Sequence, residues 1–165
     1  MFKFDGIEVM NERERLRYML LLAKSQLSSE NDDLANISNI TGIIMACVEK
    51  LNWAGFYFLR ENELVLGPFQ GLPACNRIEI GKGVCGTAAH TGKIQRVVDV
   101  HEFPGHIACD DASNSELVIP IIKDNEVYGV LDLDSPEKSR FTKLEEEYFI
   151  KLVEILNENI NWNNI

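Results

Sequence analysis

Three of the four cysteines lie in segments rich in glycine, proline and aspartate rather than on apolar stripes. These are Gly71-Leu72-Pro73-Ala74-Cys75, Gly81-Lys82-Gly83-Val84-Cys85-Gly86 and Gly105-His106-Ile107-Ala108-Cys109-Asp110. A thiol acts as a nucleophile only as its thiolate, and an ordinary cysteine with a pKa near 8.5 is only a few per cent ionised at neutral pH. Cys85 falls where a helix would begin, with Lys82 close by, and both features favour the thiolate. Cys109 has His106 near it, but Asp110 and Asp111 work against ionisation. The acids cluster downstream of Cys109. Glu116 opens one strand-like run, and Asp132 and Asp134 alternate with Leu131 and Leu133 in another, so that strand geometry puts both carboxylates on one face. In a closed pocket those two acids raise each other's pKa and burial adds to the rise, so one of them, or Glu116, would hold a proton at neutral pH and donate it. On an open strand end they would be ordinary solvated acids. Trp53 and Tyr57 share the face of their strand opposite to Phe56 and would line a pocket only if that face is not core. No two cysteines form a C-x-x-C pair, and a mixed site of Cys109 with His101 and His106 matches no standard zinc spacing, so no metal is assigned.

These residues need a scaffold, and the periodicity supplies one. A helix is predicted from Asn11 to about Leu27, with Asn11 and Glu14 in capping-box positions. A second is predicted from Leu34 to Leu51, where Leu34, Ile37, Thr41, Ile44, Val48 and Leu51 recur at spacings of three and four. Cys47 sits beside that stripe and reads as a small core residue. Trp53 to Leu59 and Leu64 to Leu66 read as a hairpin turning at Glu61 and Asn62, followed by a loop from Gly67 to Cys75. A short strand near Arg77 to Ile80, a short helix starting near Val84 and a strand from Ile94 to Val100 come next. His101 to Ser115 has no period and reads as a long loop, a kind of segment that is usually functional or disordered. Leu117 to Ile122 and Val127 to Leu133 form a second hairpin, and Thr142 to Glu145 is the capping box of a closing helix. The order predicts an α+β fold, a central antiparallel sheet with helices packed mainly on one face. It is read as one domain over 1–165, with N-terminal helices in about 11–51, sheet and catalytic loops in about 52–136 and the closing helix in about 142–160.

Composition narrows the function classes. The chain has 165 residues and a formal net charge of −10, with no basic stripe to offset it. Phosphate backbones would be repelled, so nucleic acid is not an expected partner. No apolar run approaches a membrane span, and Met1 to Met10 lacks the apolar stretch of a secretory signal, so no membrane association and a cytoplasmic location are expected. In that reducing compartment cysteines serve reactive roles more often than structural bridges.

Several stretches resemble the free methionine-R-sulfoxide reductases, enzymes built on a GAF domain. They are Asn52-Trp53-Ala54-Gly55-Phe56-Tyr57, Gly67-Pro68-Phe69-Gln70-Gly71, Pro73-Ala74-Cys75, Gly81 to Ala88, Asp99 to Asp110, Ser113-Asn114-Ser115-Glu116 and Gly129 to Pro136. The resemblance implies a single GAF-type domain that reduces free L-methionine-(R)-S-oxide to L-methionine. Cys109 matches the catalytic nucleophile, and Cys85 and Cys75 match the two other redox cysteines. Cys85 is the first choice for resolving the sulfenic acid, because Gly83 and Gly86 permit close backbone approach. Glu116, Asp132 and Asp134 match the pocket acids; which of them donates the proton stays open, with Glu116 as donor and Asp134 as partner of the substrate ammonium the assignment to test. Trp53 and Tyr57 match aromatic residues beside the substrate. The implied chemistry needs no bound cofactor. Thiolate attack on sulfur leaves a sulfenic acid, a second thiol closes a disulfide, and thioredoxin or a similar dithiol reopens it. A homodimer is the expected assembly. The alternative is a GAF sensor that binds a small ligand without turnover.

Overall fold

The computed structural model describes Phe4 and residues 6–105 and 111–165; Cys109 and the rest of 106–110 lie outside the described residues. The first helix, α1 (Glu12–Ser29), starts where the capping box places it: Asn11 Oδ1 accepts from the Glu14 amide at 3.1 Å and Glu14 Oε2 accepts from the Asn11 amide at 2.9 Å. The second, α2 (Asp33–Cys47), ends one turn before the predicted Leu51. Val48 has extended backbone at φ −106° and Lys50 is left-handed at φ 61°, so the chain turns there toward the sheet. Leu51 satisfied the apolar period but belongs to the lead-in to the first strand.

Six strands follow, interrupted by one short helix: β1 (Trp53–Arg60), β2 (Glu63–Gln70), β3 (Arg77–Glu79), α3 (Gly83–Thr91), β4 (Gln95–Val97), β5 (Ser115–Lys123) and β6 (Glu126–Ser135). They form one antiparallel sheet in the order β3-β2-β1-β6-β5-β4. The closing helix α4 (Lys143–Asn159) begins at the Thr142–Glu145 capping box. The fold is a single α+β domain, as expected.

Strand boundaries move as well. β2 continues through Gly67 to Gln70, where a loop was expected, and its register with β1 runs to Ala54↔Gln70. Pro68 is tolerated because β3 pairs only with Glu63 to Val65, leaving no outer neighbour to need its missing N–H. β4 stops at Val97, and Val100–Glu102 forms a 3-10 turn in which Asp99 Oδ1 accepts from the His101 amide.

Strand alternation divides the buried residues into two clusters. Ala54, Phe56, Phe58, Leu117, Ile119, Leu131 and Leu133 face α1, α2 and α4 and make the larger core. Cys47 is fully buried in that core, as the sequence predicts. Trp53, Tyr57, Val118 and Val130 point the other way, toward α3. The helices therefore lie mainly on one face. Among the described residues the opposite face carries α3 and loops, which leaves room there for polar chemistry.

Candidate active site

The site is on the α3 face, where β1, β6 and β5 lie side by side. Asp132 sits in register with Gly55 on one side and Val118 on the other, and Asp134 with Trp53 and Glu116. Residues in register or two apart share a face, so Glu116, Asp132, Asp134, Trp53 and Tyr57 all project toward α3. Glu116 and Asp132 are buried, whereas Asp134 is half-buried at the strand end.

Cys85 reaches the same point from the first turn of α3. Gly86 permits this approach: a Cβ there would lie 2.3 Å from the Glu79 carbonyl oxygen. The Cys85 thiol donates to Glu116 Oε1 at 3.6 Å. One ligand-type atom from each of Cys85, Glu116 and Asp132 lies within 4.8 Å of the other two. Among the described residues, Asp132 Oδ1 is buried without a hydrogen-bond partner.

The electrostatics follow from this packing. Burial, then repulsion from Asp132 and Asp134, pushes the Glu116 carboxyl well above its ordinary range. Burial also pushes Asp132 up to about 6, against the lowering effect of its bonds to Cys85 and Glu116. The pair therefore carries a proton near neutral pH, with Glu116 as its holder. Burial and the two carboxylates likewise push the Cys85 thiol well above its ordinary range. The helix start and Lys82 would favour a thiolate at Cys85, but burial beside two acids outweighs them. Glu116 and Asp132 perturb each other most directly, and Asp134 adds to the rise at Glu116 and at Cys85.

The aromatic residues form a wall and hold a loop. Trp53 stacks on Phe69 with centroids 5.3 Å apart and on Tyr57 at 5.8 Å. The Trp53 indole N–H donates to the Leu72 carbonyl at 3.2 Å, and the Tyr57 hydroxyl donates to the Cys75 carbonyl at 3.0 Å. The segment bearing Cys75 is thus pinned beside the acids. Cys75 is disulfide-bonded, whereas Cys85 and Cys47 are free thiols. Gly55 makes the stack possible, since a Cβ there would lie 2.4 Å from Phe69 Cβ and 2.5 Å from the Trp53 ring. Phe69 was assigned to a loop from sequence; its place in the stack follows from the extension of β2.

The described residues on either side of the segment that contains Cys109 are anchored to the sheet. The Val100 amide donates to the Asn114 carbonyl at 3.0 Å, and the Asn114 amide donates to the Ser135 carbonyl at 2.8 Å. His101 Nε2 lies 3.1 Å from Asn114 Oδ1, and Asn52 Nδ2 donates to Ser113 Oγ at 3.0 Å. Asn52, Ser113 and Asn114 had no assigned role in the sequence reading. Their position in a motif between a loop and a strand is the signal that marks them as anchors.

The pattern of the GAF domain matches residues 34–160. Protein YtsP of Bacillus subtilis is 51% identical over 143 residues, covering 84% of this chain and 88% of that protein. The free methionine-R-sulfoxide reductase of Escherichia coli is 49% identical over 127 residues, covering 77% of each chain. The structure of free methionine-R-sulfoxide reductase from Neisseria meningitidis in complex with its substrate superposes with a TM-score of 0.91 at 34% identity, covering 99% of this chain and 97% of that one. With this similarity running through the strands that carry the acids, the helix that carries Cys85 and the loop that carries Cys75, the chain belongs to the free methionine-R-sulfoxide reductase family of GAF-domain proteins.

Proposed function

We propose that this protein reduces free L-methionine-(R)-S-oxide to L-methionine. The observation that carries the reading is the buried Glu116–Asp132 pair, which keeps a proton beside an aromatic wall in a chain of this family. Breaking a sulfoxide S–O bond requires the oxygen to leave protonated, and a carboxyl held neutral at physiological pH supplies that proton. Cys109 attacks the sulfoxide sulfur as a thiolate while Glu116 protonates the oxygen. Methionine departs and Cys109 is left as a sulfenic acid. Cys75 condenses with it, releasing water and forming a disulfide. The disulfide state of Cys75 and the buried, neutral thiol of Cys85 support Cys75 over Cys85 for this step. A thioredoxin-type dithiol then takes the oxidising equivalents and restores both thiols.

Asp132 and Asp134 suit the α-ammonium of a free amino acid. Asp132 Oδ1 has an unused acceptor position, and Asp134 stands half-exposed beside it. A methionine within a polypeptide lacks that ammonium, so the acids select for the free form. The cycle draws on no bound cofactor and fits the reducing cytoplasm. Exposed Val9 and Leu21, at the edge of the α1 face, support the homodimer.

A thioredoxin-coupled assay with resolved R and S sulfoxides tests the function. The R isomer of free methionine sulfoxide is consumed with one equivalent of reductant per methionine, and Cys109→Ser abolishes turnover while circular dichroism is unchanged. Binding of the sulfoxide without methionine release would instead mark a sensor.

A further inference from the structure

Cys75 lies between β2 and β3, in residues 71–76, which belong to no helix or strand. Such a segment keeps its conformational freedom unless contacts remove it. Hydrogen bonds from β1 and β2 do so. The Trp53 indole donates to the Leu72 carbonyl at 3.2 Å, the Tyr57 hydroxyl to the Cys75 carbonyl at 3.0 Å, and the Leu66 amide to the Asn76 carbonyl at 3.0 Å. Tyr57 and Leu66 are register partners across β1 and β2, so the consecutive carbonyls of Cys75 and Asn76 are held at one position of the sheet. β1 is a firm post for this purpose, because it is paired on both sides, with Tyr57 opposite Val130 of β6 as well as Leu66. The Trp53 and Tyr57 rings are buried and stacked on each other, so neither swings away. Gly71 lets the segment start against the same wall, since a Cβ there would lie 2.6 Å from Trp53 Cδ1. Phenylalanine at position 57 would supply the same ring. The hydroxyl serves instead the backbone of a residue that carries a disulfide.

We infer that Tyr57, seconded by Trp53, is a positioning residue for Cys75: its hydroxyl holds the segment where the Cys75 sulfur meets its disulfide partner, and so favours the disulfide over the dithiol. In the disulfide the covalent bond itself keeps the segment in place, and the hydrogen bonds are made. In the dithiol the segment is released from that constraint, and the hydrogen bonds are what oppose its leaving. Removing the hydroxyl therefore weakens the disulfide by up to the net contribution of one hydrogen bond, about threefold to tenfold in the equilibrium constant. The same hold shortens the life of a sulfenic acid, because it raises the effective concentration of the resolving thiol. That consequence rests on the function proposed above; the redox equilibrium does not.

Full-length protein is equilibrated in glutathione buffers of graded ratio, without sulfoxide, and quenched with acid. Cys75 is then read as thiol or disulfide by isotope-coded alkylation and peptide mapping. Oxidation breaks two protein S–H bonds and the S–S bond of glutathione disulfide. One protein S–S bond forms, and two electrons with two protons pass to two glutathione thiols. Tyr57→Phe is expected to lower the equilibrium constant about threefold to tenfold, the upper end being a shift of about 30 mV. Tyr128→Phe, which removes a hydroxyl on the strand face away from Cys75, should keep the wild-type constant. An unchanged constant in Tyr57→Phe, or an equal fall in Tyr128→Phe, overturns the inference. Thermal melts confirm that each variant is folded. Should Tyr57→Phe not fold, Trp53→Phe, which removes the donor to Leu72, is judged by the same criterion. For turnover, reduced protein receives one equivalent of free methionine-R-sulfoxide, and sulfenic acid is counted with a dimedone probe. Tyr57→Phe should leave at least about threefold more trapped sulfenic acid per methionine released. Equal trapping overturns the part in resolution. No methionine from the wild type overturns the reductase reading instead, and leaves the glutathione result standing.

Discussion

Replacing Glu116 with glutamine keeps the shape and the oxygen that accepts from Cys85, but removes the ionisable proton. Two consequences follow with opposite signs. The reductive step loses its general acid, a contribution typically worth about 10² to 10⁴ in rate. Stability at neutral pH should rise. The folded-state pKa of Glu116 lies well above its ordinary 4.5, because the carboxyl is buried beside Asp132 and Asp134. A raised carboxyl pKa means that the folded state keeps a proton the unfolded state gives up. Its stability contribution is therefore complete below the unfolded value and is lost as pH rises toward the folded value. The loss is about 1.4 kcal/mol for each pH unit between the unfolded and the folded value, so it grows steadily as pH rises from 4.5 toward the folded value. Glutamine removes that slope. Asp132, raised from 3.8 to about 6, contributes its own loss over that window in both proteins. The assay is a thermal or urea melt across pH 4 to 8, paired with single-turnover methionine release. The variant's melting temperature at pH 7 should exceed the wild-type value, by about 2–4 °C for each kcal/mol of that loss, and the gap should close toward pH 4. A slower variant that is also more stable cannot be explained by misfolding. Parallel stability curves for the two proteins, or near-wild-type release from the variant at pH 7, would refute the assignment of the proton to Glu116.

The other predictions concern the thiols and the aromatic wall. Cys75→Ser should release a first equivalent of methionine and then stop, leaving a sulfenic acid that a dimedone probe labels. Cys85→Ser should still form the disulfide in peptide maps, and its failure to do so would return the resolving role to Cys85. Gly55→Ala drives a methyl group into Phe69 and the Trp53 ring, so it should cost about 1–3 kcal/mol in a denaturant melt and raise KM for the sulfoxide. Cys47→Ala should leave KM and kcat unchanged at a modest cost in stability. The Cys47 thiol, pushed up to about 11 by burial, should resist alkylation at pH 8 in the native wild type.

The larger core, on the α1, α2 and α4 side, is built chiefly of apolar residues, and its buried polar groups Gln26, Asn36 and Glu145 are paired. Placing two acids and a thiol under α3 instead keeps their desolvation cost away from that core. Such a site is tolerated because the stability of the domain comes mostly from the other face.

Local sequence determined the elements whose signals are local. Asn11 with Glu14 and Thr142 with Glu145 marked helix starts because a cap is made within four residues. Strand alternation separated Leu131 and Leu133 from Asp132 and Asp134, and Trp53 and Tyr57 from Phe56, because the pleat has a period of two. The acids were legible as members of one sheet face, whereas Cys85 stands in the first turn of α3 and Cys109 lies outside the described residues. Which groups touch was not legible. Glu116 and Asp132 meet only because β5 pairs with β6 in one register, and Cys85 joins them only because Gly86 lets α3 press against β3. The end of α2 was misread because Leu51 fits the helical period, yet the turn at Lys50 is set by where β1 must enter the sheet. The extension of β2 past Pro68 was hidden because a proline is admissible only where a neighbouring strand is absent, and strand order is a property of the whole sheet. The protonation states were decided last and least locally. A helix start and a lysine in the sequence point toward a Cys85 thiolate, but burial beside two carboxylates reverses the sign, and burial exists only once the chain has folded.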